Sequence, residues 1–203
     1  MTILSDAAFI ASAHELTELP PDRGREAAFA GRSNAGKSTA INALTRRRLA
    51  FTSKTPGRTQ TINFYSCGRD SRLVDLPGYG YAAVPAHERR HWGRLISEYL
   101  QQRVSLCGLV LIMDARHPLT PLDIQLVNWY RESGKPLHAL LTKSDKLSKQ
   151  EAQAVLTKVR DEFARTYPFA SVQLFSGVTG TGVPAAQKAL LGWLNKKPPV
   201  KGE

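Results

Sequence analysis

A chain of 203 residues with 42% hydrophobic and 22% charged residues suits one well-packed domain and leaves no room for two full ones. No apolar run approaches the ~20 residues of a membrane-spanning helix, and residues 1–12 lack a basic start and carry Asp6, which argues against a secretory signal. The formal net charge of +11, and two cysteines (Cys67 and Cys107) in no metal-ligand spacing, point to a cytoplasmic protein with reduced thiols and a polyanionic partner.

In chain order, residues 1–24 are expected to pack on the domain as an extension, the first ~20 of them peripheral. Arg25–Ala30 reads as a short strand. It leads into Gly31-Arg32-Ser33-Asn34-Ala35-Gly36-Lys37-Ser38, which satisfies G-x-x-x-x-G-K-[ST], and Thr39–Leu44 reads as the opening turns of a helix. Glycines in such a loop let consecutive backbone N–H groups wrap a phosphate chain. Lys37 then neutralises the β- and γ-phosphates, and the Ser38 hydroxyl takes a place on Mg²⁺. Arg46-Arg47-Arg48, Lys54 and Arg58 follow, and Thr61–Ser66 enters a strand. Ser71–Asp75 is a strand ending on an acid, and Asp75-Leu76-Pro77-Gly78 completes D-x-x-G. That arrangement lets Asp75 hold Mg²⁺ through water while the Gly78 N–H senses a γ-phosphate.

His87-Glu88-Arg89-Arg90-His91 matches H-E-x-x-H, the pattern that sets two histidines and a general-base glutamate on one helix face around zinc. Two arginines inside the motif, no third ligand in a suitable frame, and a position just after D-x-x-G count against a metalloprotease. Leu106–Asp114 is a continuous apolar run suited to a central parallel strand, and Leu122–Glu132 reads as helix. His138–Thr142 is another strand, continued by Thr142-Lys143-Ser144-Asp145. An aspartate there accepts N1–H and the 2-amino group of guanine, which adenine lacks, and a buried carboxylate left unpaired makes the wrong base costly. After a helix at Lys149–Arg165, the strand Ser171–Phe175 runs into Ser176-Gly177, and backbone N–H groups of Phe175, Ser176 and Gly177 come within reach of guanine O6. Val183–Leu194 is the closing helix, followed by a basic tail at 196–203.

This alternation predicts an α/β fold: a doubly wound, mostly parallel, six-stranded sheet with helices on both faces, spanning 25–195, with its ligand at the carboxyl ends of the strands. The charge excess is uneven. Residues 44–103 hold eleven Lys/Arg against four Asp/Glu, so it centres on the segments flanking the γ-phosphate and includes Arg89, Arg90 and Arg94. A basic surface there fits nucleic acid, since phosphate contacts supply most sequence-independent affinity; a solvated face serving solubility is the other reading.

The runs Gly31–Ser38, Ser53-Lys-Thr-Pro-Gly-Arg-Thr-Gln-Thr-Ile-Asn-Phe-Tyr65 and Asp75-Leu-Pro-Gly-Tyr-Gly-Tyr81 together resemble the EngB (YihA/YsxC) ribosome-biogenesis GTPases, within the TrmE-Era-EngA-EngB-septin-like superfamily. Asp114-Ala-Arg-His-Pro118 and Thr142-Lys-Ser-Asp-Lys-Leu147 extend the likeness, which covers about residues 8–194. It implies a three-layer P-loop NTPase (G) domain, a GTP site built from Gly31–Thr39, Gly57, Arg58, Thr59, Gln60, Thr61, Asp75–Gly78, Thr142–Asp145 and Phe175–Gly177, and catalytic roles for Lys37, Thr59 and Gly78. Thr59 in switch I would join Ser38 on Mg²⁺, and Asn34 would hold K⁺ near the phosphates. Ras-like proteins place a water-orienting Gln after D-x-x-G; Tyr79 stands there instead, which predicts slow hydrolysis raised by a partner or by K⁺. The resemblance further implies a monomeric assembly factor that binds rRNA of the large ribosomal subunit, with a link to septation. A GTP-gated binding module without meaningful hydrolysis is the alternative. Ser176-Gly177 departs from the family's usual Ser-Ser or Ser-Ala and predicts a more mobile loop.

Overall fold

The computed structural model describes residues 3–50, 61–80 and 86–196, and the side chains of 86–89 lie outside that description. Among the described residues seven strands form one sheet: β1 (Ala8–Ala13), β2 (Arg25–Gly31), β3 (Ile62–Ser66), β4 (Ser71–Asp75), β5 (Leu106–Asp114), β6 (Leu137–Thr142) and β7 (Ala170–Leu174), in the order β1-β3-β4-β2-β5-β6-β7. β4, β2, β5, β6 and β7 run parallel, while β3 and β1 add antiparallel at one edge. The helices are α1 (Lys37–Thr45), α2 (Ala86–Gln102), α3 (Pro121–Arg131), α4 (Lys149–Thr166) and α5 (Val183–Leu194).

The seventh strand corrects the six read from the sequence. β1 is an edge strand that buries only Ala13 fully and exposes Phe9 and Ile10, so it carries no apolar alternation. Backbone hydrogen bonding to β3, with a bulge between Phe9 and Ala11, makes it a strand. Within the extension, Leu4 and Ala7 are fully buried in the cluster that includes Ile41 and Leu44 of α1.

Alternate residues of each central strand feed opposite faces. Ala27, Phe29, Val110 and Ile112 pack under Ile41 and Leu44 of α1 and Leu190 and Leu194 of α5. Ala28, Ala30, Leu109 and Leu111 pack under Leu95 and Tyr99 of α2, Leu126 and Tyr130 of α3, and Val159 and Phe163 of α4. Burial on both faces is why β5 reads as a continuous apolar run and why β2 is apolar from Ala27 to Ala30. Helix starts follow local chemistry: Thr120 with Asp123, and Ser148 with Glu151, form reciprocal capping boxes at α3 and α4.

A charged cluster sits inside this packing. Glu26 on β2 is fully buried and accepts from Arg103 Nε (3.0 Å) and Nη2 (2.8 Å), Arg72 Nη1 (2.6 Å) and the Tyr99 hydroxyl (3.0 Å). It ties β4 and the end of α2 to β2 at the edge of the sheet opposite the motif loops. Arg103 also donates to Pro20 O at 2.7 Å, and Asp22 caps the Val104 and Ser105 N–H groups, drawing the chain before β2 into the same knot. Removing one partner of such a cluster strands buried charge. Glu26→Ala is expected to cost about 3–5 kcal/mol in urea unfolding; a loss below ~1 kcal/mol would show that the two guanidiniums find other partners.

Candidate functional site

The four loops read from the sequence leave the carboxyl ends of β2, β4, β6 and β7, so parallel pairing delivers them to one edge of the sheet. Gly31–Gly36 turns through two left-handed residues, Asn34 (φ 63°) and Gly36 (φ 97°), before α1 begins at Lys37. The Ala35 N–H closes the turn on Arg32 O at 3.0 Å. Two side chains at the carboxyl end of β6, Thr142 in the strand and Lys143 just after it, brace it. Thr142, 3% exposed, donates its hydroxyl to Ala35 O (2.5 Å) and lies 3.0 Å from Met113 O, and Lys143 Nζ donates to Asn34 O at 2.7 Å. Thr142 and Lys143 therefore hold the loop's backbone from outside.

Asp75 is buried at the end of β4, and its carboxylate pairs with Lys37 Nζ. A lysine and a carboxylate converge with the Ser38 end of the loop, a donor set suited to anionic oxygens and a hard cation. Beyond Asp75 the chain stays on β2 and the phosphate loop: Leu76 N–H bonds Phe29 O (3.0 Å), and Ser33 N–H bonds Tyr79 O (2.8 Å). Gly78 lies against Ser33, whose nitrogen would sit 3.4 Å from a Cβ at that position.

Across the sheet, Asp145 lies on the short turn Ser144–Lys146 and accepts from the Ser176 hydroxyl at 2.6 Å. That hydrogen bond, foremost, holds its carboxyl below the usual carboxylate range despite desolvation. The Asp145 side chain is largely covered, 16% exposed, with Lys146 Nζ 3.6 Å from its Oδ2. The 176–182 loop is likewise more tied down than its glycine predicts. Ser176 N–H bonds Thr181 O (2.9 Å), and the Ser176 hydroxyl accepts from the N–H groups of Val178 (3.3 Å) and Thr179 (3.2 Å). At Gly177 a Cβ would come within 2.8 Å of Thr39 Cγ2, so α1 runs too close for a larger residue without displacement.

Two polar groupings here were not read from the sequence. Asp114 accepts from Arg116 Nε (2.9 Å) and Nη2 (2.6 Å) and pairs with Lys143 Nζ at 2.9 Å. Burial alone would raise its pKa, but the hydrogen bonds from Arg116 and Lys143 outweigh that and hold it well below the carboxylate range. The Tyr79 hydroxyl donates to Asp123 Oδ1 at 2.7 Å, and the Thr120-x-x-Asp123 capping box was the one available hint that Asp123 is fixed in place. Both groupings border a cavity of about 310 Å³ beside the phosphate loop, lined also by Arg32, Ser33, Asn34 and His117.

Gly57, Arg58, Thr59 and Gln60, with Lys54, Tyr81 and the side chains of His87, Glu88 and Arg89, lie outside the described residues. Thr61 is described and lies 3.0 Å from Asn63 Oδ1 through its hydroxyl. His91 contacts His14 O (3.3 Å) and Glu15 (3.6 Å), and among the described residues no group of three metal-binding side chains forms. Arg46, Arg47 and Arg48 are exposed after α1, and Arg94 is exposed but paired with Glu98 at 2.6 Å. Among the described residues no helix is long and apolar enough to cross a membrane. Cys67 is buried, Cys107 is half-buried, and both are free thiols.

Comparison with known proteins agrees with this geometry. Residues 26–143 match the family described as 50S ribosome-binding GTPase. The chain is 56% identical over 195 residues to the probable GTP-binding protein EngB of Methylobacillus flagellatus, covering 96% of this chain and 94% of that one. It is 50% identical over 214 residues to the protein of the same description from Nitrosomonas europaea, covering 97% and 96%. Among solved structures it superimposes on a probable GTP-binding protein engB with a TM-score of 0.67 at 21% identity, covering 85% of this chain and all of that one. Era bound to MgGDPNP and a segment of 16S ribosomal RNA gives 0.66 at 20% identity, over 89% of this chain and 60% of Era. At these identities the two structures attest the fold alone.

Proposed function

The chain belongs to the EngB family of GTP-binding proteins, and from that premise we propose that it is a slow cytoplasmic GTPase, monomeric, that serves assembly of the large ribosomal subunit by binding rRNA in a nucleotide-dependent way. The observation carrying the nucleotide part is the convergence of Lys37, Asp75, Gly78 and Asp145 at one edge of the parallel sheet. In this reading Lys37 leaves Asp75 for the β- and γ-phosphates, and the N–H groups of Ser33–Ser38 line the phosphate chain. The freed Asp75, through water, and the Ser38 and Thr59 hydroxyls are the hard oxygen donors that Mg²⁺ prefers. Bound there, Mg²⁺ would neutralise charge on the phosphate oxygens. Gly78 N–H meets the γ-phosphate, and Asp145 accepts from the guanine edge, with Ser176 holding its orientation. Asp145→Asn is expected to shift preference from GTP to xanthosine triphosphate in competition binding; unchanged selectivity would remove Asp145 from this role.

Hydrolysis is expected to be slow because the residue after D-x-x-G is a phenol bonded to Asp123 rather than an amide free to orient water. Asn34, at the turn of the phosphate loop, supports K⁺ as a source of the missing positive charge. A rate higher in K⁺ than in Na⁺ buffer is expected, and equal rates would exclude that contribution. The Tyr79 geometry also supports the second reading, a GTP-gated binding module with negligible turnover. Single-turnover hydrolysis with and without ribosomal subunits separates the two.

The ribosomal part is supported by the family's description and by the basic excess in residues 44–103, which includes the exposed Arg46–Arg48. A septation phenotype would then follow from failed assembly. Sedimentation with separated 50S and 30S subunits tests it. Binding to 50S with a non-hydrolysable GTP analogue, weaker with GDP and weakened further by salt, is the expected result. Equal binding with either nucleotide, or none, would leave a GTP site whose partner lies elsewhere.

A further inference from the structure

Tyr79 occupies the position after D-x-x-G, and every polar group it has is committed. Its N–H bonds Gly31 O at 3.3 Å and its carbonyl accepts from Ser33 N–H at 2.8 Å, so it pairs with Arg32 as a one-residue extension of the parallel sheet. Its hydroxyl crosses to α3 and donates to Asp123 Oδ1 at 2.7 Å. The acceptor is itself immobile. Asp123 is 1% exposed, and its Oδ2 accepts from Thr120 N–H (2.8 Å) and the Thr120 hydroxyl (2.7 Å). The next residue, Gly80, has a φ of +80° and lies close enough to α3 that an added Cβ would fall 3.0 Å from Leu122 Cδ1. The chain leaving Gly78 is thus clamped between the phosphate loop and α3.

We infer that Tyr79 is a positioning residue for the triphosphate form: its bond to Asp123 fixes the peptide of Gly78 against Ser33, so that the Gly78 N–H is already placed for a γ-phosphate before nucleotide arrives. This rests on the nucleotide reading above and adds to it a residue outside the nucleotide and metal contacts assigned there. The ordering entropy of the 76–79 segment is then met by folding rather than by binding, and the gain goes to the ligand that has a γ-phosphate. Burial, then the charge of Asp123, pushes the Tyr79 phenol well above its ordinary pKa, which keeps it a donor at any working pH.

Tyr79→Phe keeps the ring packing and both backbone bonds and deletes only the hydroxyl. The test measures dissociation constants of fluorescent GDP and of a fluorescent non-hydrolysable GTP analogue for the full chain, wild type and Tyr79→Phe, with melting temperatures alongside. The expected result is affinity for the analogue lowered about tenfold, the scale of one hydrogen bond to a charged group, with GDP affinity changed by less than about twofold. Asp123→Asn keeps a hydrogen-bonding amide opposite the phenol and is expected to retain most of the discrimination between the two nucleotides. An unchanged ratio in Tyr79→Phe, or equal weakening of both nucleotides with a lowered melting temperature, overturns the inference and leaves Tyr79 a packing residue. Wild-type protein that takes up neither nucleotide overturns the nucleotide reading itself, and this inference with it.

Discussion

The parallel pairing of β2 with β4 on one side and β5 on the other is the constraint from which the candidate site follows. Phe29 stands opposite Asp75 and Gly31 opposite Ile112, so the phosphate loop, the D-x-x-G turn and the loop after β5 leave the sheet at one level. A slip of one residue in the β2–β4 register would move Asp75 to the other face of the sheet and separate it from Lys37. The two-sided apolar burial of β2 and β5 resists such a slip, because each residue is matched to the helices above or below it. Packing and chemistry therefore share one determinant.

The charged clusters at the two ends of the sheet differ in kind. Glu26, Arg72, Arg103 and Tyr99 form a knot with its acceptor fully buried, where separation would leave charge without solvent or partner. Lys37 with Asp75, and Asp114 with Arg116 and Lys143, lie at the open end, where the lysines and Arg116 keep some solvent contact. Pairs of the second sort exchange partners at modest cost, which suits a site whose lysine has to meet phosphate. Rigid ionic packing at one end and exchangeable pairs at the other are what a fixed scaffold with a ligand-responsive edge requires.

Legibility from sequence varied with the type of signal. Ser71–Asp75, Leu106–Asp114 and Val183–Leu194 were read with the bounds the structure gives, because each is a run whose period or apolarity reports its own burial. β1 escaped notice because its partner, not its composition, makes it a strand. Thr142 and Lys143 were read as ligand residues from a linear motif, while their side chains brace Ala35 and Asn34, 107 and 109 residues away in sequence. The Tyr79–Asp123 bond, spanning 44 residues, left no trace beyond a capping box that by itself announces only a helix start.

The sequence by itself determined the local chemistry: which residues turn a phosphate loop, which strand ends on an acid, and which stretches form the helices that follow β2, β5, β6 and β7. These depend on neighbours within a few positions, where backbone preferences and side-chain capping act. Only the tertiary structure decided which polar groups share a partner: that Glu26 anchors three side chains, that Gly177 passes against Thr39, and that Tyr79 is held by α3. Such contacts are set by the packing of elements distant in sequence, and the same residue types in another register would have met different neighbours.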